Sequence, residues 1–354
     1  MSRGRLLLIA LGVLSMIGVG VGAAVLSSGA RETETTNTAA ACVDEWFGDC
    51  LSKELEVLAK SDPQAALAEY ETQAQANGRV REVCHLLFHM IGQGATQSDR
   101  EPWEVFMLGS SECNWGYVHG AVEGYLRGSL QEVINEAGEL CTIPEGTEGD
   151  ASYINSVQGN CIHGTGHALF HANEDPIEAE LGCRAAFEDK QTALNCIDGV
   201  IMEYGNSDAA KQGKHADLCQ VIGEDARETC YRNVALTWYY QSNGEYLKVL
   251  NQCREAESSG LVFTCTWGAG NLFTVQTGFD LGFIDDLCQQ LKEEYARGCY
   301  TGAAVAGALG VNTGVLEKNE LDDFLAGAGD PSWRDGILSE IEKAEGGFGE
   351  SAAS

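Results

Sequence analysis

The chain has 354 residues, 14 of them cysteine, with 22 Lys plus Arg against 53 Asp plus Glu, a formal net charge of −31. That balance argues against nucleic acid as a partner, because a phosphate backbone demands a basic surface. The length is ample for a hydrophobic core, as one elongated domain or two compact ones.

Residues 1–5 are a short basic end, and residues 6–26 are uncharged and apolar. Roughly 20 apolar residues let a helix cross a bilayer, so this run reads as a transmembrane anchor or a signal segment. Gly22-Ala23-Ala24 offers only a weak cleavage site. Arg3 and Arg5 stay cytoplasmic by the positive-inside rule. Everything after residue 30 is therefore exported, membrane-anchored or, with cleavage, secreted. Residues 27–41 form a polar linker. In an exported chain an even number of cysteines reads as a disulfide framework.

Residues 42–312 carry a repeat. Cys161, Cys196, Cys230, Cys265 and Cys299 follow at intervals of 35, 34, 35 and 34, and Cys183, Cys219, Cys253 and Cys288 at 36, 34 and 35. A fixed period near 34 marks an array of helix hairpins. In "DPIEAELGCRAAF", Asp175 is the expected N-cap and Pro176 the first helical residue. "EDKQ" is a turn, and "TALNCIDGVIMEYG" a second helix. The two cysteines of a unit lie about equally far from the turn, so antiparallel packing pairs them. This predicts Cys183–Cys196, Cys219–Cys230, Cys253–Cys265 and Cys288–Cys299, with Cys141–Cys161 as a unit interrupted by the loop "TIPEGTEGDASYINS". Upstream, "DPQAALAEYETQAQ" and "EPWEVFML" resemble first helices without a cysteine. Cys84 and Cys113 on the following helices are then expected to bridge each other, leaving Cys42–Cys50 as a local clip. Residues 313–345 are expected to form cap helices, and 346–354 a loose tail.

The period and cysteine placement resemble tetratricopeptide-type α-solenoids, most closely cysteine-stapled helix-hairpin repeat proteins, over roughly residues 60–310. The tetratricopeptide pattern of Trp, Leu-Gly, Tyr and Pro at set offsets is absent. The resemblance implies an all-α, extended stack of a kind often used to hold proteins or peptides.

Aligned on the second-helix cysteine, position +3 is glycine in five of the six units from Cys113 onward, at 116, 164, 199, 268 and 302, with Asn233 the exception. Glycine inside a helix costs about 1 kcal/mol against alanine, so its recurrence points to close helix approach. Ligand-type side chains occupy equivalent places in the early units: His85 and His89, His119 and Glu123, and His163, His167 and His171. Residues four apart share a helix face, and stacked helices would turn these faces toward one another. Imidazole suits zinc, copper or iron, and a carboxylate adds preference toward zinc or iron. His119 and His167 are the foremost candidate ligands, then His163, His171, His89 and His85, with Glu123 as ligand or acid/base. Were Cys84 and Cys113 free, thiolate ligation would favour zinc or copper(I).

There is no His-Glu-x-x-His, Cys-x-x-Cys-His, Gly-x-Ser-x-Gly or Walker loop in a fitting context. Non-covalent haem between two histidines stays open. Two function classes compete: a metalloprotein, enzyme or carrier, and a solenoid groove that grips a protein or peptide with incidental histidines.

Overall fold

The computed structural model describes residues 50–345 except 78, 79, 82, 111, 213–216, 243, 257 and 313. The apolar segment 6–26, the linker, Cys42, His215 and the tail 346–354 lie outside the described residues. Within them every regular element is helical, and no helix is long and apolar enough to cross a membrane.

Aspartates begin many of the helices. Asp62 accepts from the Ala65 amide ahead of helix Pro63–Ala76, and Asp175 from Ile177 and Glu178 ahead of Pro176–Ala186. Asp150, Asp189 and Asp280 do the same for Ala151–Asn173, Lys190–Asn206 and Leu281–Cys288. A side-chain oxygen there satisfies backbone N–H groups that the first turn leaves open. Asp150 also shortens the expected loop after Cys141, since "ASYINS" is already helix.

From Pro102–Phe106 onward, each hairpin sets a shorter helix against a longer one. The second helices run Cys84–Ala95, Gly116–Tyr125, Ala151–Asn173, Lys190–Asn206, Arg227–Asn233, Ser259–Gln276 and Glu293–Asn312, and each packs on the next in chain order. Helix Arg334–Glu345 closes the series against Glu293–Asn312. Helix Lys318–Gly327 also packs on Glu293–Asn312.

Glycine sets the spacing of this row. A Cβ on Gly199 would lie 2.0 Å from the His163 carbonyl oxygen, and one on Gly166 2.0 Å from that of Cys196. Gly268 and Gly302 meet the carbonyls of Arg232 and Trp267 at 1.7 and 1.8 Å. At Gly199, Gly268 and Gly302, position +3 thus rests on the +2 carbonyl of the preceding layer. Where Asn233 replaces the glycine, the helix is interrupted at Val234.

Five disulfides lie among the described residues: Cys141–Cys161, Cys183–Cys196, Cys219–Cys230, Cys253–Cys265 and Cys288–Cys299. They match the expected hairpin pairs and mark a chain that folds in an oxidising, extracytoplasmic compartment. Cys50 is disulfide-bonded, but its expected partner Cys42 lies outside the described residues. Replacing Cys183 and Cys196 together by serine should lower stability by about 3 kcal/mol, as expected for so short a loop. A denaturation midpoint unchanged from the parent would show that helix packing alone holds the hairpin.

Cys84 and Cys113 depart from expectation: they are free thiols. Cys113 is not on a regular helix. Cys113, Asn114 and Trp115 all take left-handed backbone, at φ 52°, 51° and 59°, before helix Gly116–Tyr125 begins. Non-glycine residues pay roughly 1–2 kcal/mol each for that conformation. The Cys113 thiol lies against the Tyr70 hydroxyl, 3.6 Å away, and beside the Cys84 thiol.

Candidate metal centre

Helices Cys84–Ala95, Gly116–Tyr125 and Ala151–Asn173 bring His85, His89, His119, His163, His167 and Glu123 together. The side chains of His119, His163, His167 and Glu123 are buried. Ring centroids are 4.6 Å apart for His85 and His89, 4.7 Å for His119 and His163, and 5.0 Å for His163 and His167. Rings packed this tightly suit a compact ion shared among them.

Each of the five rings has one nitrogen against an acceptor at the edge of the cluster. His85 Nδ1 donates to the Cys113 carbonyl at 2.7 Å. His119 Nε2 donates to Asn160 Oδ1 at 3.0 Å, the Asn160 amide being turned by its own bond to Ser156 O. His163 Nδ1 lies 3.3 Å from Asp198 Oδ2. His89 Nδ1 and His167 Nδ1 both lie 3.1 Å from Glu123 Oε1, and His167 Nδ1 is also 3.2 Å from Glu203 Oε2.

The second nitrogens face inward. His85 Nε2 and His89 Nε2 are 3.1 Å apart. A proton on one of these Nε2 atoms makes this a hydrogen bond; with both rings neutral and hydrogen on Nδ1, they are two facing lone pairs that a bound cation would bridge. Buried His119 Nδ1, His163 Nε2 and both ring nitrogens of His167 have no hydrogen-bond partner, so His167 Nδ1 meets its two carboxylates as an ion-pair contact only. An unpaired buried polar atom costs about 1–3 kcal/mol. Imidazoles anchored through one nitrogen and bare at the other are the usual arrangement around a bound metal ion.

Three carboxylates supply negative charge. Burial opposes ionisation of Glu123, yet His89 and His167 hold it well below the usual carboxylate range. Asp198 and Glu203 are also lowered against the effect of burial, chiefly by His163 and His167 respectively. Burial and then the neighbouring rings push His119 well down and His85 to about 3. Burial lowers His163 too. For His167 burial is outweighed by Glu123 and Glu203, which raise it to about 9.

No protein-family model, curated protein or solved structure matches this chain. Donor chemistry therefore carries the assignment. Among the described residues, three-ligand groups are His85/His89/His119, His119/His163/His167, His89/Glu123/His167 and Glu123/His171/Glu203. Neither free thiol belongs to one. His171 stands at the rim, with 53% of its side chain exposed and Nε2 3.3 Å from Glu203 Oε1. Eight residues beyond His163, a helix at 3.6 residues per turn has rotated by about 80° off the inward face.

Asp198 and Glu203, both on helix Lys190–Asn206, were not among the expected ligands. Asp198 occupies the same +2 position as His163, one unit later. That was its one sequence signal, and Asp198 is fixed from behind by Asn233 Nδ2, which donates to Oδ1 at 2.7 Å. Asp198→Asn should weaken metal binding about 10- to 100-fold, the usual cost of losing a ligand's hydrogen-bond acceptor. Chelator competition on the purified variant measures this, and unchanged affinity would remove Asp198 from the account.

Proposed function

We propose that this is an exported, membrane-anchored α-solenoid that binds a transition-metal ion, zinc, copper or iron, among the imidazoles of its first three layers. One observation carries the reading: five histidines each set one ring nitrogen beside an oxygen acceptor, by hydrogen bond for His85 and His119 and by ion-pair contact for His89, His163 and His167, while the other points, bare or against another ring, into a shared interior. Metal–nitrogen bonds of about 2.0–2.1 Å make 3.1 Å a natural spacing for two ligands on one ion. His119 belongs to both all-histidine groups and is the central ligand.

The role that fits best is retention and hand-over of the ion. Glu123 Oε2 accepts from Gln93 Nε2 at 2.8 Å, and Oε1 lies between His89 and His167. With Oε2 held by Gln93 and Oε1 facing the rings without a hydrogen-bond partner, it suits ligation or orientation of the rings. His171 and Glu203 lead from solvent to this interior and offer a first stop for an incoming ion.

The rival reading, a protein- or peptide-binding scaffold, has in its favour a polar cavity of about 290 Å³ lined by Gln158, Asn195, Asp198 and Arg232. Adding zinc to chelator-stripped, untagged protein separates the two. Metal bound only by the folded state, at a hundred-fold above Kd, should raise stability by about 2.7 kcal/mol. No shift with zinc, copper(II) or iron(II) would favour the scaffold.

A further inference from the structure

We propose that Cys84 and Cys113 form a redox-active dithiol–disulfide site whose oxidant is an external disulfide and whose state governs how tightly the metal centre holds its ion. They are the described cysteines that are not disulfide-bonded. Their thiols are in hydrogen-bond contact with each other, and the Tyr70 hydroxyl reaches Cys113 Sγ. Cys84 is partly exposed and opens helix Cys84–Ala95, whereas Cys113 is buried. That asymmetry makes Cys84 the attacking sulfur and Cys113 the resolving one.

The exchange balances without a further reagent. The Cys84 thiolate attacks one sulfur of the external disulfide, forming a mixed disulfide and expelling one thiolate. Cys113 then attacks the Cys84 sulfur, forming the internal disulfide and expelling the second thiolate. Two cysteines are oxidised, the external disulfide is reduced to two thiols, and the two cysteine protons end on those products.

The link to the centre is one hydrogen bond long. Cys113 supplies the carbonyl that holds His85 Nδ1, and Cys84 is the residue before His85. The left-handed run Cys113–Trp115 leads directly into the helix carrying His119 and Glu123. In the dithiol form only non-covalent contacts hold this run against helix Cys84–Ala95. A disulfide would tie together the starts of the two helices that supply His85, His89, His119 and Glu123. It would suppress the local opening through which an ion leaves.

The second half of this inference rests on the metal-binding reading, while the first half can be measured without metal. Untagged full chain is equilibrated in glutathione buffers of stepped redox ratio, quenched by alkylation and mapped by mass. The Cys84–Cys113 pair should convert reversibly while the five hairpin disulfides stay formed. A pair that stays reduced, or stays oxidised, at every ratio would overturn the redox site. Zinc release to a chelator should then be about ten-fold or more slower from the oxidised protein. Cys84→Ser and Cys113→Ser should both be fixed at the faster rate under all buffers. Equal release from both states, or faster release on oxidation, would overturn the coupling. Absence of zinc binding in either state would defeat the metal reading, and the coupling with it, but leave the redox site standing on the mass data.

Discussion

Replacing His119 and His167 together by alanine should lower metal affinity by more than about 100-fold, beyond the range expected for losing a supporting partner alone. The pair takes a ligand from every all-histidine group and from the group built on Glu123 and His89. The same variants answer the objection that these rings merely hold the fold together. His119 Nδ1 and His167 Nε2 are buried without partners, so deleting them removes unsatisfied atoms costing about 1–3 kcal/mol each. The same change strands Asn160 Oδ1 and leaves buried Glu123 and Glu203 without the ring that offsets their charge. The metal-free variant should therefore melt below the metal-free parent, and the decisive readout is that the stabilisation metal gives the parent disappears. A variant that unfolds without metal but binds it normally when folded would make the histidines structural.

Gly199→Val should be among the most damaging single changes in the chain, lowering stability by about 3 kcal/mol or more through overpacking. Its Cβ would enter the His163 carbonyl at 2.0 Å and crowd His167 Cδ2 at 3.1 Å. Neither a backbone carbonyl nor a helix stapled by Cys183–Cys196 can move aside cheaply. Gly302→Val, whose Cβ would meet the Trp267 carbonyl at 1.8 Å far along the row, should destabilise comparably. Only Gly199→Val should also weaken metal binding, because it pushes apart the layers that carry His163, His167 and Asp198. Thermal melts of both variants with and without zinc test this. Wild-type stability in either would show that the helices can separate without cost.

Much of this arrangement is legible in the residues themselves. The hairpin disulfides follow from cysteines placed evenly about a turn, and the +3 glycines announce close helix approach. The convergence of His85, His89, His119, His163 and His167 follows from repeat register. Other features carry no such signal. Cys113, Asn114 and Trp115 adopt positive φ without a glycine among them, so nothing local warns that a helix starts at Gly116 and not before Cys113. Asp198 and Glu203 belong to a unit that has lost its histidines, and a search for imidazoles passes over it. His171 shares an i, i+4 spacing with His167, yet helical drift carries it to the surface. Spacing along one helix shows which side chains share a face, but which face turns inward depends on the neighbouring layer.

The most direct test is X-ray absorption at the metal edge of the untagged full chain, after loading and removal of excess ion. The expected result is a stoichiometric transition metal with a nitrogen shell at about 2.0–2.1 Å, imidazole outer-shell scattering, and no sulfur near about 2.3 Å. Protein that retains no ion, or holds one through sulfur or through oxygen alone, would contradict it.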